Sequence, residues 1–476
     1  MAISKSKKII FLSFTSFIVL LVLIAVTLMY FVDANAYKSR LQGAASEALG
    51  MEVSIDGRLG IGFLPGLLLT MNDVHIRNRG KELVVAEKAT LGLELLPLLQ
   101  NEFRITNIVL IHPKITVELG VDGKYNFEIP RAAGATLPAV DLPKISLSGA
   151  TLQYTDKQAG GGFDAGDCNL DLRHLQLAGG STDVVENLSF TAELLCGKIQ
   201  TGDYTATDLK LSANAKNGVF DCQSVALQTF GGQGSGNLRA DYSGAVPKYR
   251  VHFSLQQFRI EALLKTQSPE RIAEGPMDFS MDMSVQGKSA KEMKQSATGE
   301  VALLGQNLTL NGHNLDLEFN RFESSQNFNL VDVGAFFFAG PVGLAVTKGY
   351  NFANVLKGSG GDSAIRTFVS RWKVDGGVMH AQDVALATNG HRMAITGGLD
   401  IANAHFVDVT LALIDSKGCA EVKQRVRGPF VKPVVEQPNI FKSLAGPALK
   451  LLNKGRKLLP GGECDVFYAG SVGAPG

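Results

Sequence analysis

The five cysteines are the residues best suited to form covalent links in this chain: Cys168, Cys196, Cys222, Cys419 and Cys464. Cys168 and Cys196 are equally far from residue 182, which lies in the turn-rich segment Gly179–Asp183. In an antiparallel hairpin centred on that turn they face each other, so a Cys168–Cys196 disulfide is predicted. Cys419 and Cys464 would then form a second pair and Cys222 would stay free. The alternative is five reduced, buried thiols.

The other reactive side chains form no catalytic or metal-binding set. The eight histidines are scattered, without an HExxH motif or an i,i+4 pair, and no CxxC motif is present. The glycine-rich segment 231–236 precedes no helical pattern, so it is read as a turn and not as a dinucleotide-binding loop. We therefore expect a non-enzymatic protein without a cofactor.

Composition excludes two broad classes of protein. The 476 residues are 45% hydrophobic and carry 46 basic and 45 acidic groups, a net charge of +1. A nucleic-acid-binding protein would carry a basic excess, and a disordered chain would be less hydrophobic and more highly charged. A folded chain without a nucleic-acid partner is expected.

A membrane segment is predicted at the start of the chain. Residues 9–32 contain no charge and would span about 36 Å as a helix, enough to cross a bilayer. Lysines precede the segment and Asp33 follows it, which predicts a cytoplasmic tail at 1–8 and a single pass with the rest of the chain outside. A cleaved signal peptide is the alternative, because Ala34-Asn35-Ala36 resembles a cleavage site. The apolar run is longer than the usual 7–15 residues of a signal peptide, which favours an anchor.

Period-two alternation dominates the chain after residue 51. One predicted strand face comprises Met277, Phe279, Met281, Met283 and Val285, and another, after a turn at 311–313, comprises Leu315, Leu317 and Phe319. Alternation of this kind is typical of half-buried antiparallel strands. The 52 glycines are mostly assigned to the turns between strands.

Helices are predicted to be few and short. A linker helix at 33–50 is indicated by apolar residues every fourth position from Tyr37 to Leu49, with Gly50 as its stop. Further short helices are predicted at 258–266, 288–294 and 361–371. The fold class is therefore mainly β: an elongated, curled antiparallel sheet with a groove-like apolar face, a transmembrane helix and a few short helices.

Motifs after the predicted anchor resemble the AsmA family. The resemblance rests first on Val53–Leu59, Pro65–Asn78, Leu93–Leu99, Ile105–Leu110 and Pro113–Val117. Phe258–Leu264, Gly287–Ser289, Gly299 and Gly312 resemble the family's C-terminal repeat. Each motif consists of apolar and turn residues and is weakly specific, but their order after an anchor is typical of the family.

The residue patterns and the resemblance together predict a domain organisation. It comprises a cytoplasmic tail (1–8), an anchor (9–32), a linker helix (33–50), an AsmA-like β unit (51–130), a linker (131–143), a main periplasmic β-groove (144–438) and a basic amphipathic tail (439–476). In that tail Lys450, Lys454, Arg456 and Lys457 are predicted to lie on an anionic membrane surface. The alternative is that its leucines cap the end of the sheet.

The resemblance also implies a function. It predicts an inner-membrane protein of a diderm bacterium whose periplasmic groove holds phospholipid acyl chains on the two strand faces named above. Such a protein would support outer-membrane assembly and phospholipid homeostasis, with the outer membrane or its assembly factors as further partners. The alternative function is a scaffold or regulator of outer-membrane protein assembly that moves no lipid. Without the resemblance, an ordinary core filled by its own side chains is the simpler interpretation of the alternation.

Overall fold

The computed structural model describes residues 34–62, 66–94, 104–128, 139–179, 184–266, 273–312, 314–317, 319–320, 361–430, 432–436 and 466–475, with Pro97 and Cys464. The chain is mainly β, and 22 strands lie within these residues. Two compact units meet in sequence between Gly218 and Val219. The predicted anchor at 9–32 falls outside the described residues. None of the described helices is long and apolar enough to span a membrane.

The N-terminal unit begins with the predicted linker helix. A 3-10 turn, Ala34–Tyr37, leads into helix α1, Lys38–Leu49. The helix ends at Gly50, whose left-handed φ of 62° is a conformation that glycine adopts without steric cost. Leu41 packs against a cluster that includes Ile55 and Met71. The predicted helix and its stop are therefore confirmed.

Ten strands and a short helix follow in the N-terminal unit. They are β1 (Glu52–Ile55), β2 (Leu59–Gly62), β3 (Leu67–Asn78), β4 (Lys81–Leu93), β5 (Ile105–Ile111), β6 (Lys114–Leu119), β7 (Val140–Asp156), β8 (Gly161–Leu177), α2 (Val184–Asn187), β9 (Leu188–Thr201) and β10 (Tyr204–Lys216). β1 and β2 pair with opposite ends of β3, and β3 pairs with β4. β5 and β6 both pair with β4 on one side and with β7 on the other, so they form one strand interrupted at His112 and Pro113.

Two pairings correct the expectation of a purely antiparallel sheet. β5 and β6 run parallel to β7, whereas β7 to β10 continue as antiparallel neighbours. Residues 120–139 separate β6 from β7, enough chain to return to the end of the sheet at which β5 starts. β7 begins at Val140, inside the predicted linker 131–143, whose residues 131–138 lie outside the described part of the chain.

The C-terminal unit contains the other twelve strands and two short helices. They are β11 (Val219–Thr229), β12 (Gly232–Asp241), β13 (Lys248–Arg259), α3 (Ile260–Leu264), β14 (Ala273–Glu274), β15 (Pro276–Gln286), α4 (Ala290–Gln295), β16 (Thr298–Leu310), β17 (Ser363–Asp375), β18 (Val378–Ala387), β19 (Arg392–Asp400), β20 (His405–Ile414), β21 (Ala420–Pro429) and β22 (Val434–Val435). Each strand pairs antiparallel with its sequence neighbour, except that β13 pairs with β15 and β14 adds to the end of β16. Helices α3 and α4 confirm two of the predicted short helices.

The predicted helix at 361–371 is wrong. These residues enter β17, which pairs with β16 on one side and with β18 on the other. Phe368, Val369 and Ser370 are consecutive and all buried, so both faces of the strand are covered. A strand buried on both faces shows no clean alternation, and its apolar spacing can mimic that of a helix.

Candidate functional site

Unbroken rows of apolar side chains run across the sheet of the N-terminal unit, each from β1 or β2 to β10. Each row is made of directly paired residues, so its members lie side by side on one face of the sheet. Row 1 is Leu59, Met71, Ala89, Leu110, Leu147, Leu170, Leu194 and Leu211. Row 2 is Ile61, Leu69, Leu91, Ile108, Ile145, Leu172, Ala192 and Ala213. Row 3 is Val53, Ile76, Val84, Ile115, Leu152, Ala165, Ile199 and Ala206. The three rows form a continuous apolar face.

A line of irregular backbone separates row 3 from the other two. There the spacing of the apolar positions changes from two residues to three, as in Met71 to Val74, two buried members of one cluster. Asp73, Asp167 and Asp208 have left-handed φ values on β3, β8 and β10, and so does His112 at the break between β5 and β6. Neighbouring strands change spacing at the same level, and the two register shifts between β7 and β8 cancel each other, so the apolar face continues across the line.

Much of this face is only half-buried. In row 1, Leu147, Leu170, Leu194 and Leu211 are all partly exposed to solvent. The fully buried positions in the middle of the sheet are small residues such as Ala89, Ala150 and Ala165. The face therefore presents accessible aliphatic side chains with small, buried alanines between them. Such a surface is suited to binding extended hydrocarbon.

The predicted groove residues of β15 lie on an equivalent face in the C-terminal unit. Phe279, Met281 and Met283 pair with Leu255, Phe253 and Val251 of β13 and with Leu303, Val301 and Gly299 of β16. Phe279, Met281, Met283 and Val285 are half-buried. Met277, at the end of the same face, is only 2% exposed and belongs to the core.

The second set of predicted groove residues is not on a strand. Residues 315–317 and 319–320 are helical, and the Asn314 side chain accepts a hydrogen bond from the Leu317 amide at 3.0 Å. Leu315 and Phe319 are buried on one side of this segment, whereas Leu317 is 53% exposed. Residues four apart share a face in both a helix and a strand, so the spacing of Leu315 and Phe319 fits either. The prediction of a strand at Leu315, Leu317 and Phe319 is wrong, and only the first and last join the core.

Strands β17 to β20 form a closed core, in contrast with β13 and β15. Trp372, Phe368, Leu386 and Met393 are all at most 1% exposed. The segment 466–475 covers part of this region, since Tyr468 and Val472 join a cluster with Val369, Ala385, Ala394 and Ala412. The accessible apolar surface of the C-terminal unit therefore lies toward its β13 and β15 side.

Hydrogen bonds hold the segment 466–475 in place. The Tyr468 hydroxyl donates to Asp383 Oδ1 at 2.5 Å and accepts from the Val472 amide at 3.0 Å. The buried Arg392 donates to the carbonyl oxygens of Val472 and Asp415 at 2.7 and 2.6 Å. Burial alone would raise the pKa of Asp383, but hydrogen bonds from Ser471 and Tyr468 hold that pKa below its ordinary value.

Two disulfides have the pairing expected from the sequence. Cys168 bonds to Cys196 across β8 and β9, and Cys419 bonds to Cys464, with Cα–Cα distances of 4.1 and 6.0 Å. Cys168 and Cys196 lie between Ala150 and Leu209 on the apolar face. Cys222 is free and half-buried, and burial raises the pKa of its thiol, which lowers its reactivity.

One cluster among the described residues has the donor atoms of a metal site. Carboxylates of Asp56 and Asp73 lie 3.7 and 3.1 Å from His75 Nε2, and His75 Nδ1 lies 3.3 Å from Glu82. Both aspartates are exposed, and Glu82 also accepts a hydrogen bond from Arg77. These contacts form an ion-pair network on the solvent face.

The basic residues predicted to contact a membrane lie outside the described residues: Lys450, Lys454, Arg456 and Lys457.

The rows of the N-terminal unit are the site residues that the sequence prediction missed. Strict alternation fails wherever a strand crosses the irregular line, so alternation alone does not predict a face that runs the full length of these strands. A usable signal exists in the sequence: pairs of apolar residues three apart recur on successive strands, as in Ala86 and Ala89, Leu147 and Ala150, and Cys196 and Ile199. A search for alternation that allows one such change of spacing per strand would have found the face.

Comparison with known proteins identifies the family. The model of the AsmA family matches residues 3–195 and 186–325, which include every strand of the N-terminal unit and β11 to β16. No curated protein and no solved structure matches the chain significantly. The match covers more than half of the chain and includes both half-buried apolar faces, so the chain belongs to the AsmA family.

Proposed function

We propose that this protein binds and transfers phospholipids, with acyl chains lying on the apolar faces of its β units. The observation that carries the proposal is the set of three apolar rows, each continuous from β1 or β2 to β10 and partly accessible to solvent. An ordinary core would bury these aliphatic side chains. A long apolar track that crosses the strands suits a chain of methylene groups better than a compact ligand.

The mechanism is partition, and no residue needs to react. Each methylene moved from water onto the apolar face contributes about 0.8 kcal/mol, so one acyl chain supplies ample binding energy. Headgroups stay in water at the rim of the face. On this proposal the protein is not an enzyme and requires no cofactor.

The proposed location is the inner membrane of a diderm bacterium, with the bulk of the chain in the periplasm. Residues 9–32 would anchor it with residues 1–8 in the cytoplasm, and two disulfides suit an oxidising compartment outside the cytoplasm. In that position the protein would support outer-membrane assembly and phospholipid homeostasis. The basic residues at 450–457 would add contact with an anionic membrane surface.

Site-specific photocrosslinking in cells tests the proposal with a matched pair of neighbours. Leu194 belongs to row 1 and is half-buried, whereas Leu195 points to the opposite face and is 50% exposed. A photoreactive residue at 194 should give lipid adducts, and one at 195 should not. Phe253 and His252 of β13 provide the same comparison in the C-terminal unit.

The outcome distinguishes the two candidate functions. Lipid adducts restricted to the apolar side support transfer. Protein adducts at both positions, without lipid, would contradict the proposal and favour a scaffold or regulator of outer-membrane protein assembly.

A further inference from the structure

A cavity of about 390 Å³ lies at one end of strands β12, β13, β15 and β16. Most of its lining residues have polar or charged side chains, and they come mainly from these four strands of the C-terminal unit. The lining residues are Arg239, Asp241, Lys248, Tyr249, Arg250, Ser284, Val285, Gln286, Ser296 and Thr298. Three cations and a single carboxylate therefore surround this cavity.

Two of the cations face each other across a strand pair. Arg239 of β12 is directly opposite Arg250 of β13, and Arg250 is in turn opposite Ser284 of β15. Lys248 lies two residues from Arg250 on the same face of β13. Like charges directly opposite each other destabilise a sheet unless something neutralises them.

The nearby carboxylates neutralise this group only in part: Asp221 forms an ion pair with Arg239 and Asp241 is directly opposite Lys248, whereas Arg250 is opposite Arg239 and Ser284. Asp241, in the cavity wall, accepts hydrogen bonds from the Ser243 hydroxyl at 2.6 Å and the Ser243 amide at 3.0 Å. Asp221 lies 3.7 Å from Arg239, and Asp282 lies 3.6 Å from His252. Within the described part of the chain, Arg250 forms no ion pair within 4.0 Å. The cavity thus keeps an excess of positive charge beside an unpaired guanidinium.

We propose that this cavity binds a phosphate group through Arg239, Arg250 and Lys248, with the Ser284 hydroxyl as a further donor. A guanidinium presents two parallel N–H donors that match two phosphate oxygens, and an ammonium adds a point charge. The bound anion would relieve the repulsion between the opposed arginines. Inorganic phosphate and the phosphodiester of a lipid headgroup offer the same chemistry. The inference rests on the cavity and holds whether or not the apolar faces bind acyl chains.

The test measures binding of two probes to the full-length chain. One probe is inorganic phosphate, compared with chloride at equal ionic strength, and the other is a short-chain phosphatidylglycerol below its micelle concentration. Arg250→Ala and Arg239→Ala should each weaken binding about tenfold, because each removes a charge-assisted pair of hydrogen bonds. Arg366→Ala, an exposed arginine of β17, is the matched control and should leave binding unchanged. Asp241→Asn should tighten binding, since it removes the carboxylate from the cavity wall.

Thermal unfolding provides a readout that separates binding from folding. At the same concentration, phosphate should raise the melting temperature of the wild type and of Arg366→Ala equally, and that of Arg250→Ala much less. Without phosphate, Arg250→Ala should be at least as stable as the wild type, because it removes the like-charge pair. Binding of both probes by the wild type supports the site. Binding of phosphatidylglycerol alone assigns the site to lipid headgroups, and binding of inorganic phosphate alone assigns it to free phosphate. A wild type that binds neither probe, or variants that bind like the wild type, would overturn the inference.

Discussion

Cys168 and Cys196 are directly paired residues of β8 and β9, bonded through their sulfurs with Cα atoms 4.1 Å apart. The bond crosses the apolar face between Ala150 and Leu209, so it fixes the register of β8 against β9 where the irregular line crosses both strands. A slip of one residue would turn the leucines of row 1 away from this face. The disulfide thus protects the continuity of the proposed lipid-binding surface.

Removing this disulfide should destabilise the N-terminal unit. The cysteines are 28 residues apart, so closing that loop in the unfolded chain accounts for about 3–4 kcal/mol. The double replacement Cys168→Ser and Cys196→Ser should lower the urea midpoint accordingly. Cys222→Ser is the control and should leave it unchanged, since Cys222 is free. Equal midpoints for the double variant and the wild type would contradict the prediction.

A charge on the apolar face of β15 should abolish lipid binding without unfolding the protein. Met281 is half-buried on that face, and its neighbour Ser280 is exposed on the opposite one. The wild type should copurify with lipid, measured by mass spectrometry, and Met281→Asp should lose it, because a carboxylate repels hydrocarbon. Ser280→Asp should retain it. If Met281→Asp unfolds the chain instead, Met281 belongs to a closed core.

The Tyr468 hydroxyl should stabilise the segment 466–475 measurably. It links Asp383 to the Val472 amide, and its removal leaves both partners without this bond in a largely buried setting. Tyr468→Phe should lower the free energy of opening this segment by about 1–3 kcal/mol, measured by hydrogen exchange at Val472. Tyr249→Phe is the matched control, because among the described residues the hydrogen bond of the Tyr249 hydroxyl is a long one, 3.4 Å to Tyr242. An equal effect of both changes would contradict the specific role of Tyr468.

The same contact predicts a dependence on acid. The pKa of Asp383 lies below its ordinary value of 3.8, because the effect of burial, which raises it, is outweighed by hydrogen bonds from Ser471 and Tyr468. The stabilisation is therefore complete above the ordinary pKa and is lost as the pH falls through the lower, folded-state pKa. Proteolysis of the segment should accelerate in that acidic range with an acid-stable protease. Asp383→Asn should show a weaker dependence on pH, and an unchanged profile would argue against Asp383 as the group responsible.

The sequence by itself determined the strand-rich class, helix α1 with its stop at Gly50, and the register that pairs Cys168 with Cys196. These features depend on short-range spacing, on the turn chemistry of glycine and on the symmetry of a hairpin, all of which are local. The sequence order of the AsmA-like motifs also predicted the family, and the region matched by the family model contains the strands on which those motifs lie.

Only the tertiary structure decided which apolar positions form an accessible face and which form a core. Met277 and Met281 belong to the same alternating run, yet the first is buried and the second is half-buried, because burial depends on what packs above each position. Leu315 and Phe319 fit a strand or a helix equally well until Asn314 caps the helical turn. The parallel pairing of β5 and β6 with β7, and the rows that cross the N-terminal unit, depend on contacts between distant residues. Local spacing carries no information about such contacts, so only the folded chain could reveal them.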